Sequence, residues 1–96
     1  MKTSFGSLEH ILKLENKPVA EYLVFEKEGR RHKHLDYETF VILSGSGQVI
    51  RGDESISVEA GDIVTIPPKT THWMIPKEGQ TLTGILWYHK SAGRYL

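Results

Sequence analysis

The chain has 96 residues, 39% apolar and 25% charged, and its twelve basic and twelve acidic side chains cancel to a formal net charge of zero. That length holds one hydrophobic core, so residues 1–96 read as a single domain with its body at about 20–90, and the balance of apolar and charged residues excludes a disordered chain. Zero net charge gives no field that would favour nucleic acid or an anionic membrane, and the lack of cysteine removes disulfides, thiolate metal sites and a cysteine nucleophile together.

The opening stretch, Met1 to Ser7, lacks the apolar segment of a secretory signal, and no apolar run approaches a membrane span, so a soluble cytoplasmic protein is expected. Leu8, His10, Leu12 and Leu14 alternate with Glu9, Ile11, Lys13 and Glu15, a period near two, although a short helix through Leu8, Ile11 and Leu12 fits the same brief window. Asn16-Lys17-Pro18 breaks it. Ala20 to Lys27 is rich in aromatic and branched residues and predicts a strand ending at Gly29. The basic run from Lys27 to Lys33, interrupted by Glu28, reads as a solvated loop.

Further strands are predicted over Glu38–Leu43, Gln48–Arg51, Ser55–Val58, Ile63–Ile66, His72–Ile75 and Leu82–His89. Ser44-Gly45-Ser46-Gly47, Gly52-Asp53 and Gly61-Asp62 supply turns, and Pro67-Pro68 blocks ladder pairing and forces a loop. Roughly eight strands at spacings of about 8–12 residues, with no convincing helix, imply an all-β antiparallel sandwich or barrel. A doubly wound fold is excluded because no segment can serve as a crossover helix.

One constellation carries chemistry. His32, His34 and Glu38 lie in one stretch and His72 in another, giving three imidazoles and one carboxylate. Residues two apart on a strand share a face, so His32 and His34 aim at one point. Glu38 rejoins them if the chain bends at Leu35-Asp36-Tyr37, and His72 comes from a facing strand. This donor set suits a divalent first-row transition metal (Fe, Mn, Ni, Zn, Co or Cu) without selecting one. Phe40 and Ile42 share the face of Glu38, and Met74 shares that of His72, so all three are expected at the pocket. Trp73 is expected on the outer side. Parity leaves Tyr22, Trp87 and Tyr88 open between core and pocket, with Tyr22 counted among the pocket residues. His10 reads as an ordinary sheet residue, whereas His89, at the end of the last strand, is a candidate acid–base group beside the barrel mouth.

These residues resemble the cupin superfamily, specifically its small single-domain members. His32-x-His34, the three-residue gap, Glu38, the six-residue gap and Gly45 match the first cupin motif; only two residues separate Gly29 from His32 where the motif has five. Gly61, Pro67 and His72 match the second motif, in which Lys69 stands in place of a glycine and Pro76 in place of an asparagine. The resemblance covers about residues 20–90. It implies a double-stranded β-helix, or jelly-roll barrel, of two antiparallel sheets, with His32, His34, Glu38 and His72 as metal ligands and Glu38 also as a base. It further implies a homodimer and a small-molecule substrate, with a dioxygenase, an isomerase or a lyase among the activities of similar sequences. Fold does not choose among them. A metal-containing binding or sensing module without turnover is the competing expectation, and a β-domain acting only through self-association is a third. Lys69 would occupy a conformation that suits glycine, at about 1 kcal/mol.

Overall fold

The computed structural model describes residues 1–90; positions 91–96 of the expected single domain lie outside the described residues. Eight strands follow one another along the chain: β1 (Gly6–Leu14), β2 (Lys17–Phe25), β3 (Tyr37–Ser44), β4 (Ser46–Arg51), β5 (Glu54–Glu59), β6 (Ile63–Ile66), β7 (His72–Pro76) and β8 (Leu82–His89). They form a five-stranded sheet in the order β1-β2-β8-β3-β6 and a three-stranded sheet in the order β5-β4-β7, every pairing being antiparallel. There is no helix among the described residues. This is the all-β antiparallel arrangement expected from the strand spacing and the jelly roll implied by the family resemblance, and it settles the ambiguity at Leu8–Leu12 in favour of a strand.

Alternation builds the interior. Leu23 and Phe25 of β2, Phe40 and Ile42 of β3, Val49 of β4, Val58 of β5, Val64 and Ile66 of β6, Met74 of β7, and Leu82 and Leu86 of β8 are all buried and form one apolar core between the sheets. Intervening residues on the same strands point outward, as period-two side-chain placement requires.

Three connections differ from expectation. β2 begins at Lys17 rather than Ala20 and so contains Pro18. The strand survives because the β2–β8 ladder starts only at Ala20↔Trp87, so the N–H that proline lacks is not needed there. The β1–β2 turn is then Glu15-Asn16, both with positive φ (52° and 66°), as the tight hairpin turns that match strand twist demand. Second, Gly45 does not close a hairpin. It carries the chain from the five-stranded sheet to the three-stranded one with φ 81°, and a Cβ there would run into the carbonyl oxygen of Thr81. Third, the segment holding His32 and His34 is not a regular strand. It touches β7 through a single bridge, His32↔His72, with His32 N–H donating to His72 O at 3.2 Å and His72 N–H to His32 O at 2.9 Å. Gly29 N–H adds a bond to Met74 O at 2.8 Å. The chain bends at Leu35-Asp36 before β3 begins, which is the bend needed to bring Glu38 back to the two histidines.

Candidate metal centre

His32, His34, Glu38 and His72 meet at one end of the barrel interior, and each offers a ligand atom within 4.8 Å of the others. Each is held by a different local device. His32 is fixed by its bridge to β7. His34 follows it and is tied by the backbone of the loop after β6, where Lys69 N–H donates to His34 O at 2.7 Å. Lys69 has φ 60°, so it keeps the left-handed conformation that its replacement of glycine makes unfavourable, and this turns its N–H toward His34. Glu38 stands on β3 opposite Ile66 of β6 and Tyr88 of β8. His72 opens β7.

The hydrogen bonds select the tautomers. His32 Nδ1 lies 2.8 Å from Arg30 O, His34 Nδ1 3.1 Å from Asp36 O, and His72 Nδ1 2.8 Å from Thr70 O. A carbonyl oxygen can only accept, so each Nδ1 carries the proton and each neutral ring has its lone pair on Nε2. Anchoring one ring nitrogen on a carbonyl while the other faces a shared point is how proteins orient imidazole ligands. His34 Nε2 and His72 Nε2 then approach the same Glu38 Oε1, at 2.8 and 3.1 Å. Two lone-pair nitrogens and a carboxylate oxygen cannot satisfy one another unless a cation, either a proton or a metal ion, stands among them. The donor set therefore fits a metal ion on its own chemistry.

Burial grades across the site. Glu38 and His72 are buried, His34 half-buried and His32 exposed, which leaves the His32 side accessible from outside. Hydrogen bonding to the Glu38 carboxylate raises the pKa of His34 against the opposing effect of burial. Burial works to raise the pKa of Glu38, but the His34 and His72 imidazoles, donors to it once protonated, outweigh burial and hold the carboxyl below its ordinary range.

Beside the cluster lies a cavity of about 330 Å³ that His32 and Glu38 help to line. Its walls are mainly apolar, with Phe5, Leu8, Leu23, Phe25 and Leu86 prominent among them. Of the expected pocket residues Met74 borders the cavity, whereas Phe40, Ile42 and Tyr22 do not. Phe40 and Ile42 share the face of Glu38 as parity requires, but they are fully buried in the core, where Phe40 packs edge-on against Phe25 at 6.1 Å. Tyr22 is corrected by one residue: Glu21, Leu23 and Phe25 are the inward set of β2, and Tyr22 points away. His89 is corrected in the same way. It lies on the outer face of the sheet, 2.6 Å from Thr39 Oγ1 and stacked on Tyr37, while its neighbour Tyr88 lines the cavity and meets the His34 ring edge-on at 5.2 Å.

Sequence reasoning passed over Glu21, a carboxylate on the buried stripe of a strand; its shared parity with Leu23 and Phe25 was the available signal. Phe5, Leu8 and the arginines reach the cavity through long-range packing that no local pattern reveals. Arg31 sets its guanidinium 4.4 Å from the centre of the Trp73 ring, a cation–π contact at the cavity rim.

The family model for the cupin domain matches residues 20–88, and the chain belongs to the cupin family. Among solved structures it is similar to a cupin-like protein of Thermotoga maritima, with a TM-score of 0.79 and 20% identity over 100% of this chain and 86% of that one. A predicted oxalate decarboxylase from the same organism superposes with a TM-score of 0.78 at 17% identity, covering 88% and 79% of the two chains. A cupin 2 conserved barrel domain protein of Salinispora arenicola gives 0.73 at 17% identity, covering 88% and 75%. At such identities the likeness is one of fold. No curated protein sequence matches the chain.

Proposed function

We propose that this cupin is a metal-dependent enzyme acting on a small organic carboxylate or carbonyl compound, with one divalent transition metal ion held by His32, His34, Glu38 and His72. The observation that carries the reading is the set of three Nδ1-anchored imidazoles that gather with the Glu38 carboxylate, their ligand atoms within 4.8 Å of one another, at the edge of a cavity. Four protein donors on an ion that prefers five or six would leave room for a substrate oxygen, and the ion would supply Lewis acidity or redox chemistry there. The chain's part is to hold the imidazoles in one tautomer, to surround the substrate with apolar side chains that exclude water, and to keep Glu38 ionised as ligand and base. A dioxygenase or an isomerase fits this arrangement. A cytoplasmic setting suits a chain without cysteine.

Elemental analysis of protein purified without tag or chelator tests the metal, with close to one equivalent expected. Metal-loaded protein is then screened against small carboxylates and diketones with oxygen uptake followed.

A non-catalytic binding or sensing module is the second reading. It is favoured by the position of His89, because the expected acid–base group lies on the wrong face of the sheet to reach a substrate. Binding without product at every metal tested selects it.

A homodimer belongs to both readings. The outer face of the five-stranded sheet carries half-buried Tyr22, Val41, Ile85 and Trp87 beside exposed Ile63 and Leu43, an apolar surface that a second copy would cover by twofold symmetry. Light scattering that reports a monomer at all concentrations rejects the dimer.

A further inference from the structure

The cavity has a second polar station besides the His/Glu cluster. Glu21 sits on β2 among inward-facing apolar residues and is 5% exposed. It lines the cavity together with Phe5, Leu8, Leu23, Phe25 and Leu86, none of which can hydrogen-bond through its side chain. A carboxylate has about four lone-pair positions, and buried ones are ordinarily well filled. Among the described residues Glu21 has one side-chain hydrogen-bond partner and one imidazole close by. Tyr88 Oη donates to Oε1 at 3.3 Å, long beside the roughly 2.5–2.7 Å of a charge-assisted O–H···O⁻ bond. His10 Nδ1 stands 3.7 Å from Oε2, beyond hydrogen-bond reach. The arginines that border the cavity, Arg30 and Arg31, make no ion pair with it. A buried anion so thinly partnered, on an otherwise apolar wall, is expensive unless a cation joins it.

We propose that Glu21, oriented by the Tyr88 hydroxyl, is a ligand-binding residue that pairs with a protonated amine. The substrate or effector class is therefore a small aliphatic amino acid, its carboxylate directed to the metal cluster, its ammonium group to Glu21 and its methylenes against Leu23, Phe25 and Met74. This rests on the metal reading for the carboxylate end and on Glu21 and Tyr88 alone for the amine end. A hydroxyl group would fill a lone pair of Glu21 and leave its charge uncompensated; an ammonium does both. A cavity of about 330 Å³ lies at the small end of ligand sites, which run from roughly 300 to 1,000 Å³, and suits such a molecule.

The test is calorimetric titration of the zinc-loaded full chain with 3-aminopropanoate, 4-aminobutanoate, 5-aminopentanoate and 6-aminohexanoate, each against its methyl isostere from butanoate to heptanoate. At the best chain length the amine is expected to bind at least tenfold more tightly than the isostere. Glu21→Gln abolishes that preference and leaves zinc content and isostere affinity unchanged. Glu21→Asp keeps the charge but withdraws it by one methylene, so the preferred chain becomes one carbon longer; this variant decides the matter should Glu21→Gln fail to fold. Equal affinity of amine and isostere at every length overturns the proposal, and so does an unshifted optimum in Glu21→Asp. Protein that takes up no zinc fails the metal reading instead. In that case n-pentylammonium and pentanol are compared on the metal-free chain by NMR. Movement of the Tyr88 ring resonances with the amine alone, lost in Glu21→Gln, supports the pair, and identical responses to the two probes overturn it.

Discussion

Three imidazoles are each committed through Nδ1 to a backbone carbonyl within two residues of their own position, so the chain itself fixes Nε2 as the atom each ring could offer to an ion. Removing one ring should therefore lower affinity without unfolding its neighbours. His34→Ala is expected to reduce metal content and melting temperature together, because binding energy adds to folding energy; unchanged metal per chain would reject the assignment. The pH dependence of the metal-free protein follows from the same contact. His34 has a pKa raised above its ordinary 6.5, so its contribution is complete below that value and is lost as pH rises through the raised one. Glu38 has a pKa lowered below its ordinary 4.5, so its contribution is present above that value and is lost as pH falls through the lowered one. In chelator, wild type should exceed His34→Ala in stability by more at about pH 5.5 than at about pH 8. With metal the order inverts, because protons compete for the ligand lone pairs in acid. Urea titrations at the two pH values check both signs.

At the scale of elements, two turns hold the site together, and the two motif glycine positions behave differently. Gly45 is the corner between the sheets, with φ 81° and no room for a side chain beside Thr81. Gly45→Ala meets both backbone strain and a clash with an immovable carbonyl, and a loss of about 3 kcal/mol or more is expected by urea denaturation. Lys69 keeps the left-handed conformation with a side chain, φ 60°, and its N–H holds His34 O. Lys69→Gly should relieve strain while sparing that bond. The gain is at most about 1 kcal/mol, since glycine also frees the unfolded chain, and metal affinity stays unchanged. A destabilised Lys69→Gly would mean that the side chain itself supports the loop. Element boundaries were legible in the sequence wherever alternation was long, as in β3 and β8. At Pro18 they were not, because whether a proline ends a strand depends on which neighbour needs its N–H.

For the whole molecule, the candidate metal centre draws on both sheets, with Glu38 on the five-stranded sheet and His72 on the three-stranded one. An ion held by both ties the two layers together. At a free metal concentration 100 times the Kd it should add about 2.7 kcal/mol to stability. A thermal melt with and without chelator should then differ by roughly 10 °C or more for a domain of this size, and coincident melts would exclude binding at this position.

Residue spacing by itself determined the all-β class, the strand count and the four candidate ligands, because period two and the gaps between histidine and glutamate are local properties of the chain. Tertiary structure alone decided which neighbours face the cavity. Tyr22 and His89 point away from it, and Glu21 and Tyr88 point in. The physical reason is that parity is relative: a strand shows which residues lie together on a face, and only its packing against the opposite sheet shows which of the two faces is inside.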